Sequence, residues 1–297
     1  MASRPATHAG SWYADDAATL SGELEGWLAA ARSGGGGGAP ASNPRAVIAP
    51  HAGLSYSGAT AAFSYGEVTQ PERIRRVFIL GPSHHEYLAG AAVSSFASYA
   101  TPLGALRCDT DVAAALLRTA GGGVEQMEPG VDEAEHSLEL HLPFIRHVWK
   151  GQDVAIVPIL VGCPDAAAEA VLAAALLPFL LDERNLFVVS GDFCHWGTRF
   201  RFTPNYDGAH GPLHKYIERL DHEGIDIIEA GSGATAWREY IVRTSNTICG
   251  RAPIGVFLAA AGQLLTAKSR AYAQSMAAVS LEDSSVSCTY GSLQRVP

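Results

Sequence analysis

The chain has 297 residues, 47% of them hydrophobic, and a formal charge of −9. That length can bury a large core. The acidic balance, with no dense Lys/Arg stripe, excludes the basic face that a nucleic-acid partner calls for.

The first residues, MASRPATHAGSWY, lack the basic, then apolar, then small-residue order of a signal peptide. A helix is expected over 17–32, with Leu20, Leu24, Trp27 and Leu28 on one face. SGGGGGAPASNP (33–44) is too glycine-rich to pack and is expected to be a flexible surface loop. It lacks the Gly-Lys-Ser/Thr ending of a phosphate-binding loop. Strand RAVIAP (45–50) leads to His51, and a helix is expected at 57–68. VFILGPSHHEY (77–87) opens as a continuous apolar strand, is stopped by Gly81 and Pro82, and closes on His84 and His85.

Further along come AAVSSF (91–96), a helix near 110–120, and HSLELHLPFIRHVW (136–149), with Leu138, Leu142 and Ile145 at helical spacing. Strand VAIVPILVG (154–162) precedes AAAEAVLAAALLPFLLDE (166–183). That stretch is the most apolar in the chain, yet it holds Glu169 and Pro178 and ends on Asp182 and Glu183. A buried helix is expected there, not a membrane span. NLFVVSGDF (185–193) is the next strand, helices are expected over 211–230, 235–244 and 252–267, and a short strand at 285–293 closes the chain. The alternation predicts an α/β fold, a single layered domain over 1–297 with a mainly parallel central sheet flanked by helices. The five cysteines are odd in number and scattered, without a C-x-x-C, which suits a reduced, cytoplasmic protein.

Three apolar strands end on polar ligand types: His51, then His84, then Asp192, Cys194 and His195. If the strands are parallel, their carboxyl ends share one edge, where open α/β sheets bind ligands. Each residue has a plainer reading. His51 could bond backbone in its loop, and Asp192 and His195 could simply shape a turn. His84 and His85 point to opposite faces if extended, so His84 is taken as the inward one. Cys194 reads as packed rather than reactive. In EAEHSLELHLPF (133–144), Glu135 and Glu139 share a face while His136 and His141 do not. Capping by Glu135 or His136 and a core or cleft position for His141 compete there with a supporting role beside a metal. Cys249 lies just before a predicted helix start. It reads either as a thiol of lowered pKa, fit to be ligand or nucleophile, or as a small buried hydrophobe.

HAGSWY (8–13), APHAG (49–53), FILGPSHH (78–85), EHSLELHLPF (135–144), DFCHWG (192–197), NTICGRAPIGV (246–256) and DSSVS (283–287) together resemble the Memo family, the mediators of ErbB2-driven cell motility. The resemblance spans almost the whole chain. It implies a fold similar to class III extradiol dioxygenases, which hold non-haem iron. It also implies His51, His84 and Cys249 as metal ligands, with His195 and Asp192 facing the metal as the catalytic pair. Cys249 stands where the dioxygenases carry a carboxylate; a thiolate favours copper or zinc over ferrous iron and places ring cleavage in doubt. Copper or iron is therefore the implied cofactor, with zinc as a further candidate. The resemblance also implies redox activity on a small molecule or dioxygen, a link to receptor tyrosine kinase signalling and motility, and a cytoplasmic and also nuclear location. Two alternatives stand beside it: a non-catalytic module that binds a phosphotyrosine peptide of a receptor, and a zinc-dependent hydrolase.

Overall fold

The computed structural model describes residues 2–34, 43–204, 206 and 211–295. Most of the glycine-rich stretch, 35–42, lies outside the described residues.

Four fully or almost fully buried strands form the middle of the sheet: Ala155–Val161, Arg76–Pro82, Asn185–Ser190 and Ala46–Ala49, in that spatial order and all parallel. They read as unbroken apolar runs because both faces are covered. Their alternate side chains feed two cores. Val47, Val77, Ile79 and Val188 face a core shared with the helices Ala17–Gly34, Leu54–Gly66 and Leu142–Val148. Ile48, Phe78, Leu80 and Val189 face the other, under Ala166–Leu181, Gly233–Thr244 and Arg251–Ala261. The sheet is thus the expected parallel centre between helical layers.

Beside Ala155–Val161 the sheet continues with Leu106–Cys108, parallel, and Ala91–Val93, antiparallel, while the other flank is antiparallel. Beyond Ala46–Ala49 lies Ser285–Arg295, which pairs in turn with Leu265–Gln274. The latter strand corrects the expected helix over 252–267: that helix stops at Ala261, where Gly262 adopts φ 52°. The ten residues after Leu264 then pair with the end of the chain, and this ladder overrides any continuation of the helix. The segment 136–149 is likewise two short helices, His136–Glu139 and Leu142–Val148, because Pro143 opens the second and offers no N–H to the first. The helix expected from residue 57 begins at Leu54. The alanine-rich helix buries one face through Leu172, Leu176 and Leu180 and leaves Val171 and Leu181 exposed. Among the described residues no helix is long and apolar enough to cross a membrane.

The amino-terminal segment is pinned by a fully buried arginine. Arg4 Nη1 donates to Glu139 Oε2 at 2.6 Å, its Nε to Asp132 Oδ1 at 2.9 Å, and its Nη2 to the Glu135 carbonyl at 2.9 Å. Glu139 also accepts from Tyr13 Oη at 2.7 Å and pairs with His8 Nδ1 at 2.7 Å. Burial works against its charge, but His8 and Arg4 outweigh burial and hold the Glu139 carboxyl down to about 2. A depressed carboxyl stabilises the fold above its unfolded value and loses that contribution as pH falls through the folded one. Acid unfolding is therefore expected to steepen between about pH 4.5 and about pH 2. Glu139→Gln should cost on the order of 3 kcal/mol at neutral pH and flatten that acid slope. Urea midpoints measured across this range would check both, and an unchanged slope in the variant would exclude Glu139 as the source.

Candidate metal centre

Ala49 pairs with Ser190, and Leu80 with Val189, so three parallel strands finish side by side. His51, His84 and Asp192 come within a few residues of those ends. The His51 and His84 rings lie 5.3 Å apart, nearly perpendicular. His51 is buried, the His84 side chain is 27% exposed, and His85 is exposed. Cys249 arrives from the turn before Arg251–Ala261 and places its Sγ 3.2 Å from His51 Nε2.

Among the described residues two donor groups result, and they share His51. One is His51, His84 and His136; the other is His51, Asp192 and Cys249; within each, the ligand atoms lie within 4.8 Å of one another. The trio His51, His84 and Cys249 is thus divided between the two groups, with His51 the member they share. His136 is the residue that spacing misses. Helical spacing tests it only as a face partner of His141, and the helix breaks between them. His136 instead stacks on His84, with centroids 4.3 Å apart. The one available signal is its position beside Glu135.

Glu135 does two jobs at once. It caps the His136–Glu139 helix through the Ser137 amide and accepts from His84 Nδ1 at 2.9 Å and from the His84 amide at 2.8 Å. Despite burial, these bonds hold its carboxyl below the ordinary range. An ionised carboxylate only accepts, so His84 Nδ1 carries a proton and points Nε2 away from Glu135. Burial, and then the neighbouring His84, push both His51 and His136 down, which keeps these imidazoles neutral. His141 lies behind the site, brought down to about 3 by burial.

Two expectations change. Asp192 and His195 do not form a bonded pair: His195 Nδ1 donates to the carbonyls of Phe193 at 2.8 Å and Thr247 at 3.0 Å. Asp192 instead accepts the His51 amide at 3.1 Å and gives its own amide to Cys249 Sγ at 3.2 Å. The Cys249 thiol is not lowered by the helix start. Burial, and then Asp192, push it well up. Cys194 is buried and packed, as expected.

The Memo-like family matches residues 4–293. Protein MEMO1 of Danio rerio is 44% identical, over 99% of this chain and 98% of its own length. Protein MEMO1 of Homo sapiens is 42% identical over 98% and 97%, and a memo-1 homolog of Caenorhabditis elegans is 39% identical over 98% and 82%. The chain belongs to the Memo family. A solved structure of an uncharacterized protein from Escherichia coli K12 aligns with a TM-score of 0.49 at 15% identity, over 82% of this chain and 98% of that one.

In this Memo-family chain the donors fit a metal ion chemically: imidazoles, a thiol and a carboxylate come together around His51 at the strand ends. The approach of Cys249 depends on backbone. A Cβ on Gly250 would lie 2.6 Å from the Gly191 Cα and 2.8 Å from the Ser190 carbonyl oxygen, atoms that cannot rotate away. Gly250→Ala is therefore expected to push the Cys249 turn off the strand end and to cost about 1–3 kcal/mol. A urea midpoint equal to the parent protein's would contradict that close approach.

Proposed function

We propose that this Memo-family chain, acting as one domain over 1–297, holds a redox metal, copper or iron, through His51, His84 and Cys249, and carries out metal-dependent redox chemistry on a small molecule or dioxygen. The observation that carries this reading is the placement of His51 Nε2 3.2 Å from Cys249 Sγ, with the His84 ring centroid 5.3 Å from that of His51. Nitrogen and sulfur donors together favour copper, while the paired histidines with Asp192 nearby also suit iron. When bound, such an ion would supply one-electron chemistry.

The protein's own residues would do the rest. Glu135 fixes His84 through Nδ1. His195, held at Nδ1 by two carbonyls, would keep Nε2 for accepting and returning a proton, with Asp192 close by. Cys249 must lose its proton to ligate, so loading releases a proton and tightens with rising pH. Because the third ligand is a thiolate, itself oxidisable, efficient catechol ring opening is not expected.

Protein purified without added metal should contain copper or iron. His51→Ala combined with His84→Ala should abolish that content while the fold persists, and unchanged stoichiometry would remove the assignment. Metal-dependent consumption of dioxygen or of a reductant should vanish in Cys249→Ala and fall about 10²-fold or more in His195→Ala. Rapid opening of a catechol ring by iron-loaded protein would overturn the exclusion of ring cleavage, and hydrolysis supported by zinc alone would favour the hydrolase.

A second reading, a phosphotyrosine-peptide module in cytoplasmic and nuclear receptor signalling, draws on the cleft rim. Trp12, 36% exposed, lies 4.4 Å from the His136 ring, and exposed Arg199 sits over Phe200, whose ring is 5.1 Å from His195. An aromatic and a cation at a cleft mouth suit a phosphorylated aromatic side chain. Peptide binding that survives chelation would put this reading first.

A further inference from the structure

Behind the candidate centre lies a hydrogen-bonded chain that the proposed chemistry does not use. Ser190 Oγ is within 2.6 Å of His51 Nδ1, 2.7 Å of His141 Nε2 and 2.8 Å of the Ser137 carbonyl oxygen. His141 Nδ1 lies 3.0 Å from Tyr65 Oη. All of these groups are buried.

The number of protons decides which group donates. The Ser137 carbonyl has no proton to give, and two oxygens at 2.8 Å repel unless a proton lies between them, so the Ser190 hydroxyl proton points at Ser137. Ser190 has then used its one donor. Both imidazole nitrogens beside it must carry their own protons and donate to its two lone pairs. His51 is therefore protonated at Nδ1, and its Nε2 presents a lone pair toward Cys249. His141 is protonated at Nε2, so its Nδ1 accepts from Tyr65. The whole chain closes with every donor matched to an acceptor, and burial keeps both rings neutral with a single proton each.

We infer that Ser190, backed by His141 and Tyr65, is a positioning residue that locks His51 in the tautomer able to ligate through Nε2. The inference rests on the proposed metal reading for its consequence but not for the tautomer itself. A serine hydroxyl here does what a carboxylate or carbonyl does behind other metal-binding histidines. It differs in needing a second acceptor, Ser137, to fix its own direction. The carbonyl of Ser137 is in turn placed by the helix that Glu135 caps. Glu135, which holds His84, and the Ser137 carbonyl, which directs Ser190 toward its role on His51, therefore belong to the same short segment.

The test is nitrogen-15 NMR of the imidazoles in metal-free full-length protein. His51 should be protonated at Nδ1 alone and His141 at Nε2 alone. A His51 proton on Nε2 would overturn the inference, whether or not the protein ever binds a metal. Ser190→Ala should leave His51 as a tautomer mixture and weaken copper(I) or iron(II) binding about 10–100-fold. His141→Phe should weaken it less, and His141→Gln, which retains an N–H donor, should restore parental affinity. Unchanged affinity in Ser190→Ala would refute the positioning role. Parent protein that binds neither ion would refute the proposed function and still leave the tautomer to be judged from its NMR signals. Should Ser190→Ala fail to fold, the parental tautomer and the His141 pair decide.

Discussion

The parallel register of three strands is the constraint on which the site depends. Ala49 stands opposite Ser190, and Leu80 opposite Val189, held by main-chain ladders in a sheet buried on both faces. A slip of one residue would turn every apolar side chain to the wrong core, so the register is specified by burial. The residues just past each strand end are thereby placed without any attraction among the polar groups themselves. Burying His51 and Asp192 beside the Cys249 thiol costs free energy. The two cores supply the stability that sustains it, and the hydrogen bonds behind the site satisfy the groups that burial has stripped of water.

Those hydrogen bonds divide the pocket into two kinds of surroundings. On the His84 side, Glu135 is ionised and bonded to main chain and ring, so charge is already settled. On the Cys249 side, burial raises both the thiol and the Asp192 carboxyl. His51 stands between, buried and neutral. A cation binding there would meet imidazole nitrogen and a thiol that must first give up its proton.

Much of this is legible in the chain. The four inner strands read as continuous apolar runs, and the turn residues after them mark where polar groups emerge. Glu135 as a cap is readable from the segment that begins at His136. The partners behind the site are not readable, because Ser190 looks like any strand-end serine, and its role comes from Ser137 and His141, about 50 residues away. His136 is hidden by a helical spacing test applied across a break that Pro143 imposes. The long Leu265–Gln274 strand is hidden because LTAKSRAYAQ is largely half-buried or exposed and so carries no continuous apolar run, although its ladder partner is the next strand. Residues bonded locally are visible; those bonded across the fold are visible only where a strand register carries them.

The thiol at the third position comes from the same geometry. Gly250 brings the Cys249 turn against Gly191 with backbone in contact, a separation that leaves no space for a side chain on either glycine. With main chain that close, a short side chain suffices to reach His51, and Cys249 meets it at 3.2 Å. A longer carboxylate side chain from the same turn would have to fold back on itself. The carboxylate is still present, carried by Asp192 on the neighbouring strand end, where its backbone amide bonds Cys249 Sγ and its side chain bonds the His51 amide. The sulfur is thus held by the main chain of the residue that supplies the oxygen. Any change in the strand end would shift both donors together, which ties the softness of the site to the register of the sheet.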